Sequence, residues 1–215
     1  MAIVVIGGHS RSVGKTSVVA GLITALPERH WTAVKITQYG HGVCSRDGQP
    51  CDCAVDDQEH SFAITEERDR SGESDTSRFL VAGAERSLWV RTRQGFLAEA
   101  MPRLRRELER AQDVIIESNS VMRFLRPDLY LTVLDPANSD FKQSAREYLD
   151  RADAVIYDQP PPGALEIAPS WDRVSLKPVA GKPVFRVRPP EYVTADIVEF
   201  VRERLLQGQP LRAQG

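Results

Sequence analysis

A loop near the amino terminus carries the residues with the clearest chemical potential. It follows the apolar residues 3–6 and contains several glycines, whose backbone N–H groups can turn inward around an anion without side chains blocking the approach. Lys15 can reach the terminal phosphates of a nucleotide, and the Thr16 hydroxyl is the usual Mg²⁺ ligand in such loops. We therefore predict a strand, a phosphate-binding loop and a helix, with the nucleotide contacted by Gly8, His9, Ser10, Arg11, Ser12, Val13, Gly14, Lys15, Thr16 and Ser17.

The loop departs in one respect from the pattern G-x-x-x-x-G-K-[ST]. His9 stands where the first glycine would fall, and Gly8 lies one residue earlier. We expect a loop that is one residue longer than usual. The alternative is an ordinary strand-to-helix turn.

Strands and helices alternate along the rest of the chain. Apolar runs predict strands at 3–6, 31–36, 87–90, 113–117, 129–135, 154–157 and 183–187, and helical periodicity or capping predicts helices at 15–26, 75–83, 96–111, 140–151 and 194–206. Such alternation favours an α/β fold with a mostly parallel sheet and helices on both faces. Residues 37–74 lack clear periodicity and are predicted to be a long, cysteine-containing insertion after the second strand.

Charged residues stand near the predicted strand ends. Lys35 ends the second strand and Glu117 ends the strand at 113–117. Because ligands bind at the carboxyl edge of a parallel sheet, we expect both beside the phosphate loop. Glu117 is the candidate carboxylate for Mg²⁺, Asp75 is a competing metal ligand or a helix N-cap, and Lys35 would neutralise charge on a phosphoryl group or substrate. The candidate catalytic residues are Lys15, Lys35 and Glu117.

Three cysteines lie within ten residues of one another, at Cys44, Cys51 and Cys53. With His41 or His60 they could form a tetrahedral Zn²⁺ site of four ligands. The spacing C-x₆-C-x-C is not a common finger pattern, so redox-active cysteines and inert thiols stay open as alternatives.

The chain of 215 residues has 28 Lys and Arg against 30 Asp and Glu, a net charge of −2. We predict one domain at 1–207 with a flexible tail at 208–215. The balanced charge gives no general attraction to nucleic acid or to a membrane surface, and no run approaches the roughly 18 apolar residues of a membrane span. We expect a cytoplasmic protein, with its small-molecule or protein partner and a homodimer left open.

Residues 8–16 resemble the extended phosphate loop of the dethiobiotin synthetases, a family of the SIMIBI branch of P-loop NTPases, in which a lysine also ends the second strand. The middle of the chain is similar to the MobB family, which acts in molybdopterin-guanine dinucleotide biosynthesis. The similar segments are 35–41, 74–78, 82–84 and 115–117. The resemblance covers residues 1–135 and implies binding and hydrolysis of ATP or GTP with Mg²⁺, in cofactor maturation.

A second resemblance concerns the metal-insertion GTPases of the same branch. They also combine a phosphate loop with a Cys/His metal site and a strand that ends in Glu-Ser, as Glu117-Ser118 does here. It implies a metallochaperone NTPase as the main alternative. Residues 157–160 lack the lysine of the guanine-reading element Asn-Lys-x-Asp, so the base stays open between adenine and guanine. A small-molecule kinase or ligase and a non-enzymatic nucleotide-sensing module are further alternatives.

Overall fold

A computed structural model describes residues 1–39, 61–159, 171 and 174–207. Its centre is one eight-stranded sheet formed by β1 (Ile3–Gly8), β2 (Trp31–Tyr39), β3 (Phe62–Glu66), β4 (Arg86–Arg93), β5 (Asp113–Glu117), β6 (Leu129–Leu134), β7 (Ala154–Asp158) and β8 (Val184–Val187). The strand order is β3-β4-β2-β5-β1-β6-β7-β8, and every neighbouring pair is parallel except β3 and β4. This arrangement confirms the predicted α/β class with a mostly parallel sheet.

Strand β3 was not predicted, so the expectation of an irregular segment from 37 to 74 is wrong in part. The segment also contains the end of β2, which continues to Tyr39. β3 escapes sequence analysis because it is a short edge strand with no fully buried residue, and its apolar and polar residues do not alternate clearly. It pairs antiparallel with β4, with Ile64 opposite Val90.

Within the part of the chain that the structure describes, five α-helices connect or flank the strands: α1 (Lys15–Ala25), α2 (Asp75–Val81), α3 (Leu97–Leu108), α4 (Gln143–Glu147) and α5 (Ala195–Gln207). The predicted helix at 140–151 is shorter than expected, since α4 ends at Glu147 and a 3₁₀ turn follows at Leu149–Arg151. Among the described residues, no helix combines the length and apolar character needed to cross a membrane.

Two apolar clusters cover the two faces of the sheet. Val5 faces the cluster that includes α3, whereas its neighbours Val4 and Ile6 face the cluster that includes α1 and α5. Alternate side chains of a strand point to opposite faces, so β1 is buried on both sides as a central parallel strand must be. The rigid centre of the fold therefore lies directly beneath the loop that follows β1.

Candidate functional site

The loop between β1 and α1 has the backbone conformation of an anion-binding loop. Ser12 (φ 54°) and Gly14 (φ 88°) are left-handed and flank Val13, whose φ is not positive. Alternation of this kind turns successive N–H groups toward one concave side. Helix α1 begins directly after Gly14, so the N–H groups of its first turn face the same side.

Gly14 is required for two independent reasons. Its positive φ disfavours any side chain, and a Cβ built there would lie 2.1 Å from Cε1 of Tyr192. The aromatic ring of Tyr192 therefore lies directly against the phosphate loop. Burial, and then the negative charges of Asp158 and Asp135, raise the pKa of the Tyr192 hydroxyl.

His9 anchors the loop from below and does not face the cleft. The ring is fully buried; its Nδ1 lies 2.7 Å from the carbonyl oxygen of Asp140, and its Nε2 accepts a hydrogen bond of 3.0 Å from the backbone N–H of Asp135. These partners require the neutral tautomer with the proton on Nδ1, and burial lowers the pKa of the ring. The ring also contacts Phe141 and Trp171, with centroids 5.1 and 4.8 Å away.

The ten predicted nucleotide-binding residues thus divide into two groups. Arg11, Ser12, Gly14, Lys15, Thr16 and Ser17 line the cleft above the loop. The other four, His9 among them, support the loop from within. Gly8 forms two hydrogen bonds with the Asn119 amide, of 2.9 and 2.8 Å, and the Ser10 hydroxyl donates to the Asp140 carboxylate at 2.7 Å. Val13 is buried in the hydrophobic core.

Lys15 lines the cleft. Its ammonium group donates to the backbone carbonyl of Ser10. Burial lowers its pKa to about 8, against the opposing effect of the nearby Glu117 carboxylate. A desolvated lysine that is held in an anion-binding loop favours a negatively charged ligand.

The structure brings the two predicted carboxylates and Lys35 together beside Thr16. Lys35 and Glu117 are register partners on the adjacent strands β2 and β5, and the Lys35 ammonium donates to Glu117 Oε1. It lies 2.8 Å from Oδ2 of Asp75, and the Thr16 hydroxyl donates to Glu117 Oε2 at 2.8 Å. Burial opposes the charge on Lys35, but the two carboxylates outweigh it and raise the pKa of Lys35.

Asp75 is free to reach this cluster because it is not the N-cap of α2. Ser74 caps the helix, its hydroxyl accepting from the backbone N–H of Ser77 at 3.1 Å, so the N-cap alternative for Asp75 is wrong. Burial opposes ionisation of Asp75, but Lys35 outweighs it and lowers the pKa of the carboxyl group. On the following turn Arg78 donates to the Ser17 hydroxyl at 3.2 Å and also lines the cleft.

The residues around Thr16 fit a magnesium ion. One hydroxyl and two carboxylates converge there, these are the hard oxygen ligands that Mg²⁺ takes, and the lysine ammonium between the carboxylates shows that the position favours a cation. The predicted zinc ligands Cys44, Cys51, Cys53, His41 and His60 lie outside the described residues. Among the described residues, no three His, Cys, Asp or Glu side chains are grouped to hold a metal.

The sequence patterns did not point to Lys142 and Tyr192, both of which line the cleft. Neither belongs to a motif, and each reaches the loop from a distant part of the chain. The cleft has a volume of about 1010 Å³ and continues past Lys35 to Gln38 and Gln94, well beyond the phosphate loop.

No protein-family model and no curated protein matches the sequence. Similar solved structures include the "apo" form of LpxK from Aquifex aeolicus in complex with ATP (18% identity, TM-score 0.46), covering 86% of this chain and 53% of that one. This chain thus spans about half the length of LpxK. HypB from Helicobacter pylori in complex with nickel is 14% identical with a TM-score of 0.46, and the match covers 96% of this chain and 86% of that one. A MobB homologue from Bacillus stearothermophilus is 14% identical with a TM-score of 0.38, and the match covers 96% of this chain and 97% of that one. At these identities, and with TM-scores below 0.5, the likeness shows no function for this chain.

Proposed function

We propose that this protein binds a nucleoside triphosphate with Mg²⁺ in the cleft and hydrolyses or transfers the terminal phosphate. One observation carries the proposal: the hydroxyl that follows the phosphate-loop lysine lies 2.8 Å from the strand-end carboxylate of Glu117, beside Lys35 and Asp75. A phosphate loop, a metal-binding hydroxyl and strand-end acids are the parts that phosphoryl-transfer sites share.

Each residue has a role that follows from its position. Lys15 and the N–H groups at the start of α1 bind the phosphates, and Thr16, Glu117 and Asp75 hold the metal ion. When bound, Mg²⁺ supplies charge neutralisation at the phosphates. Lys35, which lies between these two carboxylates, would stabilise negative charge on the transferred group.

Transfer to a small acceptor is supported by the extent of the cleft, which continues past Lys35 toward Gln38, Gln94 and Phe124. A role in cofactor maturation, of the kind that the MobB resemblance implies, agrees with such an acceptor. The metallochaperone alternative depends on Cys44, Cys51 and Cys53, which lie outside the described residues.

The test is calorimetry with ATP and GTP, each with and without Mg²⁺, followed by phosphate release. We expect Mg²⁺-dependent binding, and a ligand at 100 times its Kd should stabilise the fold by roughly 2.7 kcal/mol. Lys15→Met should abolish binding, and Glu117→Gln should remove the Mg²⁺ dependence. Glu109→Gln, an exposed carboxylate at the end of α3, is the matched control. Absence of binding to both nucleotides by the unaltered protein would refute the proposal.

A further inference from the structure

Lys142 is a cleft residue with no role in the arrangement described so far. It immediately precedes α4 and lines the same cleft as Lys15 and Lys35. Lys15 donates to the Ser10 carbonyl, and Lys35 is paired with two carboxylates. By contrast, within residues 1–39, 61–159, 171 and 174–207 no carboxylate forms an ion pair with the Lys142 ammonium group.

The backbone around Lys142 is held rigidly to the phosphate loop. Its N–H donates to the His9 carbonyl at 2.8 Å. Two residues earlier, Asp140 is bound by the His9 ring and by the Ser10 hydroxyl, each at 2.7 Å. The backbone position of Lys142 is thus defined by the same contacts that shape the loop.

Lys142 lies within electrostatic reach of Lys35 and Glu117, on the side of the cleft where the proposed metal ion would meet the terminal phosphate. The charges that act on it are those of Arg11, Asp140, Lys35 and Glu117, and it in turn acts on Lys15. The opposite end of the loop, beside Gly14 and Ser17, is bordered instead by Tyr192 and Arg78.

An unpaired ammonium in a partly buried position is costly, and burial together with Arg11 lowers the pKa of Lys142 to about 8. A bound anion would offset this cost. The cations Arg11, Lys15 and Lys35 outnumber the carboxylates of Asp140 and Glu117 around Lys142, so the balance of charge favours an anion of high charge.

We infer that the Lys142 ammonium group binds the terminal phosphate of the nucleoside triphosphate and makes the site select triphosphates over diphosphates. The inference rests on the proposed function, and it adds a third lysine to Lys15 and Lys35. Lys15 serves the phosphates that both nucleotides share, whereas Lys142 serves the one that only the triphosphate carries.

The experiment compares ATP with ADP and GTP with GDP by calorimetry at pH 7 with Mg²⁺, in the unaltered protein and in variants. Lys142→Met should weaken triphosphate binding roughly 10-fold or more, as expected for a hydrogen bond between charged groups, and leave diphosphate binding unchanged. Lys142→Gln serves as a second uncharged variant, and Lys142→Arg should retain most of the selectivity. Lys177→Met, at an exposed lysine outside the cleft, is the matched control.

The outcomes separate the two proposals. If the unaltered protein binds no nucleotide, the proposed function fails and this inference fails with it. If it binds triphosphate and both uncharged variants keep the same preference, or lose affinity for both nucleotides equally, only the role of Lys142 is overturned. Because removing an unpaired charge relieves a cost, the nucleotide-free Lys142→Met variant should melt no lower than the unaltered protein.

Discussion

The ion pair between Lys35 and Glu117 allows a sharp test of how the site is held together. The two side chains are 16% and 3% exposed, so the pair is removed from solvent, whereas Asp75 is 38% exposed and contributes little to stability. Lys35→Met leaves the Glu117 carboxylate buried without its counter-charge. Removing one partner of a buried pair costs about 3–5 kcal/mol, which for a chain of this size lowers the Tm by roughly 6–20 °C.

The double variant Lys35→Met/Glu117→Gln distinguishes this explanation from simple loss of packing. The glutamine removes the uncompensated charge and can still accept the hydrogen bond from Thr16, so most of the lost stability should return. Chemical denaturation at pH 7 measures each free energy of unfolding, with Lys177→Met as the control. A single variant within about 1 kcal/mol of the unaltered protein, or a double variant less stable than the single, would refute the reasoning.

Magnesium provides a second measurement on the same variant. In Lys35→Met the carboxylates of Glu117 and Asp75 no longer have an ammonium group between them, so Mg²⁺ alone should raise the Tm of the variant more than that of the unaltered protein. An equal response of the two proteins would contradict the proposed metal position.

Three further predictions concern the phosphate loop. Gly14→Ala should destabilise the protein by about 1–3 kcal/mol, because position 14 has a positive φ and a Cβ there would clash with Tyr192. In thermal melts, adding Tyr192→Ala should restore the stability lost to the clash. A double variant whose loss of stability equals the sum of the two single losses would contradict the contact. His9→Phe keeps an aromatic ring in place but leaves two backbone groups without a partner, so denaturation should show a loss of roughly 2–4 kcal/mol and nucleotide affinity should fall with it. The pKa values of Lys15 and Lys142 are about 8, so nucleotide binding above that pH requires proton uptake. The affinity measured by calorimetry should therefore fall up to about 10-fold per lysine for each pH unit above 8. An affinity that is constant or rises with pH would be inconsistent with these lysines as phosphate ligands.

The sequence alone was sufficient for the fold class and for the strand, loop and helix at the amino terminus. Both depend on local patterns: alternating apolar strands and helices, and a glycine loop followed by Lys15 and Thr16. The strand-end position of Glu117 was also predictable, since an apolar run that stops at a carboxylate marks the edge of a sheet. The edge strand β3 was missed because an edge strand needs no regular apolar pattern.

What the tertiary structure decided is which of these groups meet. Lys35 and Thr16 both contact Glu117, from 82 and 101 positions away in the sequence. The His9 ring accepts a hydrogen bond from Asp135, which lies 126 positions away. Such contacts depend on the order β2-β5-β1-β6 in the sheet, which places strands from distant parts of the chain side by side. The reason is physical: strand order is set by how all the elements bury their apolar faces together, so the pairing of Lys35 with its carboxylates, and the arrival of Lys142 at the cleft, are properties of the packed sheet and of no local pattern.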